Sequence, residues 1–99
     1  MEKIHTVYIM AKGRNSTFYT GYSSDLLVRS AKHKNGYYPN SFTKKYKIDN
    51  LAHHEVHTDE SQARLRERQI KKWNRPWKMR LIETMNPQWK DLFESLYRD

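Results

Sequence analysis

Ninety-nine residues, 36% hydrophobic and 30% charged with both signs present, describe one folded domain of residues 1–99 near the lower end of single-core size rather than a disordered tail. The chain has no cysteine, no run of eighteen apolar residues and no apolar core in its opening MEKIHTVYIM. These absences exclude a disulfide framework, thiolate chemistry and a membrane-spanning helix, and they lead us to expect a cytoplasmic protein with no membrane partner.

The elements follow in order from local patterning. Residues 5–10 (HTVYIM) and 17–22 (TFYTGY) are β-branched and aromatic, and AKGRNS between them contains turn formers, which predicts an antiparallel hairpin. Ser23, Ser24 or Asp25 then caps a helix through about Lys34, stopped by Asn35-Gly36. Residues 35–48 form a loop with the basic-aromatic cluster FTKKYK, and residues 51–56 (LAHHEV) suit a third strand. Asp59 with Gln62 three residues on is a capping-box-like start for a helix through about Trp73. Pro76 opens another helix. Asn86 and Pro87 read as cap and first position of a last helix over 87–98, with Trp89, Leu92, Phe93 and Leu96 on one face. The order β-β-α-β-α-α-α predicts an α+β fold, a small three-stranded antiparallel-containing sheet flanked by helices, with a core over about 5–84.

Charge is unevenly spread over this frame. The formal net charge is +8; residues 11–47 carry eight Lys/Arg against Asp25 alone, and residues 64–80 another eight against Glu67 alone. Concentrated positive charge favours polyanions, because phosphate contacts release condensed counterions. No helix joins a basic face to a wide apolar one, so a membrane surface is the poorer partner.

A few positions resist a purely structural reading. Glu67 follows Ala63 by four and precedes Ile70 by three, so a carboxylate shares their apolar stripe. It must be paired, either with Arg64 or Lys71 on its own helix, or with a cation. Arg29 and His33 are four apart and share a helix face where both can donate to phosphate. Tyr8 points away from the Val7/Ile9 side of its strand, and Tyr19 precedes Gly21 by two. Gly21 inside a strand implies a bulge or a close approach to the backbone. Lys44, Lys45 and Tyr46 either hold a backbone phosphate or decorate a loop. The five histidines include no H-x₃-H on a helix, so no zinc site is expected.

Taken together these positions resemble the GIY-YIG nuclease superfamily. VYI at 7–9 stands for the first half-motif, with Tyr8 as its tyrosine, and YTG at 19–21 for the second, with Tyr19 and Gly21. SSDLLVRSAKHK looks like the family's arginine-bearing helix, and RERQIKKW at 66–73 like the segment with the metal-binding glutamate. FTKKY, RQIKKW and MNPQWKDL further resemble its small stand-alone bacterial members. Two departures stand out: the first half-motif lacks its glycine, and the second has Thr20 for isoleucine. Lys78 also falls where many active relatives carry an asparagine, with Asn74 nearby but out of register.

The resemblance implies metal-dependent hydrolysis of DNA phosphodiesters with low sequence specificity. Carried over residue by residue, Glu67 holds one Mg²⁺ or Mn²⁺, weakly bound without substrate. Arg29 neutralises transition-state charge, Tyr8 is the candidate general base, His33 assists it, and Tyr19 orients water or phosphate. Lys32, Lys44, Lys45, Tyr46, Arg64, Arg68, Lys71 and Lys72 would bind the DNA, which includes branched or damaged forms. Two other readings stay open: a nucleic-acid-binding module without cleavage, and a component of a DNA repair or recombination complex that docks a protein partner through the last helix.

Overall fold

A computed structural model of the chain describes residues 4–26 and 50–93. Arg29, Lys32, His33, Lys44, Lys45 and Tyr46 lie outside the described residues, as do most of the helix expected over 24–34 and the loop over 35–48. The strands are β1 (His5–Ala11), β2 (Phe18–Ser23) and β3 (Leu51–His57), and the helices are α1 (Glu60–Lys72) and α2 (Arg75–Met85). The sheet is antiparallel in the order β2-β1-β3, so the α+β expectation holds with β1 at the centre.

From Val7 to Ala11 strand β1 carries no charged residue because both faces of the sheet are covered there; Val7, Tyr8, Ile9 and Met10 are each fully buried. Alternation divides them. Val7, Ile9 and Ala11 pack with Ala63 and Ile70 of α1 and Ile82 of α2, whereas Tyr8 and Met10 pack with Leu26 and Leu51 on the other face.

The β1–β3 register is regular from His5↔His57 to Ile9↔His53 and then shifts to Met10↔Leu51, leaving Ala52 as an extra residue. That bulge sets the aim of β3. Upstream of it Leu51 joins the Tyr8 face; downstream His53, Glu55 and His57 join the helical face, and His54 stands opposite Tyr8. The strand therefore runs one residue past the expected 51–56, because His5 supplies His57 with a partner.

Both described helices begin as the local chemistry requires. The Asp59 carboxylate accepts from the Gln62 N–H at 2.8 Å, and Asn74 Oδ1 from the Trp77 N–H at 3.1 Å with Pro76 just inside α2.

The segment after α2 departs from expectation. Residues 87–88 are a turn and 89–91 are irregular, so no helix begins at Pro87; residues 94–98 of the expected helix lie outside the described residues. Asn86 caps the preceding helix instead. It is buried, its side-chain amide donates to the carbonyls of Ala52 at 3.0 Å and Lys90 at 2.8 Å, and its Oδ1 accepts from the Lys90 N–H at 3.0 Å. Trp89 adopts a left-handed backbone, φ 56°, which turns the chain around the end of the sheet. In consequence Trp89 packs against Phe18 on the helical face, at 5.6 Å between centroids, while Leu92 and Phe93 reach the Tyr8 face. The single apolar face expected of these residues required a helix that is absent at 87–91.

Candidate active site at the β2 edge

Tyr8 and Gly21 are direct cross-strand partners, and Met10 stands opposite Tyr19, so the three motif residues share one face of β1 and β2. A Cβ on Gly21 would sit 2.7 Å from both Cζ and Oη of Tyr8 and 3.1 Å from Tyr19 Cε1. The Tyr8 ring therefore lies across the Gly21 backbone, carrying its hydroxyl from the central strand over the edge strand. Of the two alternatives that a strand glycine raised, close approach is the one realised; the bulge is in β3. The Tyr8 and Tyr19 rings are tilted at 40°, with centroids 6.3 Å apart.

His54 completes this row on the far side of Tyr8. Burial, and next the charge of neighbouring His53, push its pKa below the ordinary histidine value, favouring the neutral ring. Strand alternation puts neighbours such as His53 and His54 on opposite faces but does not by itself set His54 opposite Tyr8. That pairing depends on register.

Glu67 reaches the site from the other layer. Ala63 and Ile70 are fully buried against the sheet, and the Glu67 side chain between them is only 14% exposed. Its Oε2 pairs with Lys71 Nζ at 2.9 Å, so the intrahelical partner is Lys71; Arg64 pairs with Glu60 instead, at 3.1 Å. The flank on which Glu67 sits is settled by its neighbours. Arg64, one turn earlier, lays its guanidinium 4.5 Å from the centroid of Tyr22 on β2, whereas Arg66 reaches across to Glu55 on β3. Glu67 thus lies on the β2 side of α1, above the strand over whose edge Tyr8 leans. Tyr8 and Glu67 occupy opposite faces of the sheet and share only that edge. Of the other expected DNA contacts, Arg68 and Lys72 are exposed on α1.

Thr20, between Tyr19 and Gly21, turns the other way, opposite Ile9 on the helical face. Its hydroxyl is buried, and no hydrogen-bond partner is found for it. Thr20→Val should therefore stabilise the protein, by about 1 kcal/mol in urea denaturation, since the change removes an unsatisfied polar atom and keeps β-branching. A loss of stability would mean that the hydroxyl is satisfied in solution.

On the β3 flank Glu55 accepts from His53 Nε2 at 2.8 Å, His57 Nε2 at 2.9 Å and Arg66 Nε at 2.7 Å. Burial works to raise the Glu55 pKa, but the hydrogen bonds from His53, Arg66 and His57 and the charge of Arg66 outweigh it and hold the carboxyl at about 2, against 4.5 for a free glutamate. Between those values the unfolded chain takes up a proton at Glu55 and the folded one does not. Stability from this network is complete above pH 4.5 and is lost as the pH falls towards 2. The melting temperature of the wild type should accordingly fall more steeply over that window than that of Glu55→Gln; equal slopes would show the network to be inert.

Among the described residues, no three His, Asp or Glu side chains converge on a point where they could hold a metal ion. None of the helices described is long and apolar enough to cross a membrane. Comparison with known proteins gives a match to the family described as the GIY-YIG catalytic domain over residues 4–80. A UPF0213 protein of Staphylococcus epidermidis is 37% identical over 79 residues, covering 80% of this chain and 94% of that protein. A UPF0213 protein of Staphylococcus aureus strain Mu50 matches with the same identity and coverage. No solved structure gives a significant match.

Proposed function

The chain belongs to the GIY-YIG nuclease superfamily, and on that footing we propose that it is a DNA endonuclease that hydrolyses phosphodiesters with the help of one divalent cation and little sequence preference. The observation that carries this reading is the arrangement about β2: Tyr8 leans across Gly21 on one face of the sheet, and Glu67 lies on the β2 flank of α1 on the other.

The donor set suits a hard cation. Glu67 offers a partly buried carboxylate that belongs to no cluster of three or more His, Asp or Glu side chains among the described residues, which suits Mg²⁺ or Mn²⁺ taking its remaining oxygens from water and substrate. Such a cation would stabilise negative charge on the leaving oxygen. Tyr8 is the group to accept the proton of the attacking water. A free tyrosine has a pKa of about 10, so the role calls for nearby cations or for a base to take the proton onward. Tyr19 orients water or phosphate, and Arg29 with His33, following β2 in the chain, would add charge stabilisation.

DNA affinity would come from Arg64, Arg68, Lys71 and Lys72 on α1, together with Lys32, Lys44, Lys45 and Tyr46. Phosphate contacts of this kind carry no sequence information and weaken steeply with salt.

A second reading, a binding module without cleavage, is favoured by Lys78. It replaces the asparagine of many active relatives, and partial burial lowers its pKa. Nicking of supercoiled plasmid at low salt separates the two: the endonuclease nicks with Mg²⁺ or Mn²⁺ and stops in EDTA. DNA binding without nicking under either metal would leave the module. A role in repair or recombination, through branched or damaged DNA, belongs to the same proposal.

A further inference from the structure

The junction of α1 and α2 exposes aromatic surface that neither the core nor the tyrosine face uses. Trp73 ends α1 with part of its ring against the core, and Trp77 in the first turn of α2 is 53% exposed. The two rings meet edge to face, with centroids 5.7 Å apart and planes at 73°. With Arg80, Leu81 and Thr84 they line an open cavity of about 330 Å³. The Arg66 guanidinium lies 5.0 Å from the Trp73 ring centroid. Large aromatic side chains left in water at the wall of a groove mark a place where something binds.

Charge says what. Three of the residues lining the groove, Trp73, Trp77 and Arg80, belong to the block of residues 64–80, which holds eight Lys/Arg against Glu67 alone. Helical geometry orders the side chains around α1 from Glu67 as Lys71, Arg68 and Lys72, with Leu65 and Gln69 between Lys72 and Trp73, so a cationic stripe on the outer face of the helix lies between the carboxylate and the flank that carries the groove. A ligand with a flat apolar ring and a regularly spaced anionic chain fits both features; an apolar protein segment fits only the first.

We propose that this groove holds an unpaired nucleobase of single-stranded or frayed DNA, stacked on Trp77, while Arg80, Lys72 and Arg68 hold the adjoining phosphates. The inference rests on the nucleic-acid reading above and sharpens its substrate class. A base inside a duplex has both faces covered by its neighbours and cannot stack on a side chain; an unpaired base can, whatever its identity. The groove and Glu67 are on different sides of one helix, a separation on the order of 10 Å. A strand anchored at Trp77 therefore reaches the scissile position by crossing the basic face of α1.

The test is binding in EDTA at low salt, where cleavage plays no part. The probes are a thymidine oligonucleotide carrying one 2-aminopurine and a blunt duplex of equal length. Wild type should bind the single strand with quenching of the 2-aminopurine. Trp77→Ala, at an exposed position that leaves the core intact, should weaken single-strand binding about tenfold or more and duplex binding less than about twofold. Trp77→Phe, which keeps a ring, should retain most of the affinity. Unchanged single-strand binding by Trp77→Ala would overturn the inference and leave the groove to another occupant, such as a protein. Equal losses on single strand and duplex would overturn it too. Absence of any DNA binding by wild type would remove the endonuclease reading along with it.

Discussion

Glu67→Gln should reduce metal-dependent nicking of supercoiled plasmid by about 10³-fold or more, with the fold unchanged. The amide keeps the size of the carboxylate and removes the charge that a divalent cation requires, and charge stabilisation by a metal contributes several kcal/mol to phosphoryl chemistry. Stability should move by less than about 1 kcal/mol. The interaction lost within the chain is an i,i+4 pair with Lys71, whose side chain is 53% exposed, and such pairs contribute little. Binding to DNA in EDTA should persist or tighten slightly, since a negative charge leaves a basic surface. Nicking at the wild-type rate by Glu67→Gln would remove this residue from the metal. A mutant that is both inactive and unfolded would show instead that the carboxylate serves the core.

The second large effect is expected at Gly21. A methyl group there would lie 2.7 Å from two atoms of the fully buried Tyr8 ring, well inside van der Waals contact. Because Tyr8 is hemmed in by Met10, Leu26 and Leu51, the ring has no open space into which to retreat. Gly21→Ala should cost about 3 kcal/mol, towards the upper end for overpacking, and lower the melting temperature by roughly 15 °C. Nicking should fall as well, even where the mutant is folded, because the ring that must move carries the candidate base. Tyr8→Leu in the Gly21→Ala background should recover part of the loss relative to the sum of the single changes, the signature of a direct contact. Strict additivity of the two mutations would mean that the strand accommodates the methyl group by another route.

Much of this architecture was legible from local chemistry. The hairpin of β1 and β2 followed from β-branched and aromatic runs around a turn; the start of α1 followed from Asp59 with Gln62, and that of α2 from Pro76. The inward carboxylate of Glu67 was equally visible, since its spacing to Ala63 and Ile70 is a property of any α-helix. The segment from Asn86 to Phe93 was not. An Asn-Pro pair is an ordinary helix start, but here the Asn86 amide is consumed by the carbonyls of Ala52 and Lys90, the first of them 34 residues away in sequence. No local signal reports a hydrogen bond that the sheet must first be folded to offer.

The order of residues alone says which of them face inward, which carry positive charge and which polar groups are out of place in an apolar stripe. These follow from the two side-chain periodicities and from composition. How the pieces meet is set by packing between elements. The extra residue at Ala52 sends His53, Glu55 and His57 to one face and sets His54 opposite Tyr8, because one added residue in a strand reverses every side chain beyond it. The flank of α1 on which Glu67 stands was likewise settled by Arg64 over Tyr22 and Arg66 against Glu55, contacts between separate elements. Periodicity can say that a side chain points at the sheet; only packing can say which strand it meets.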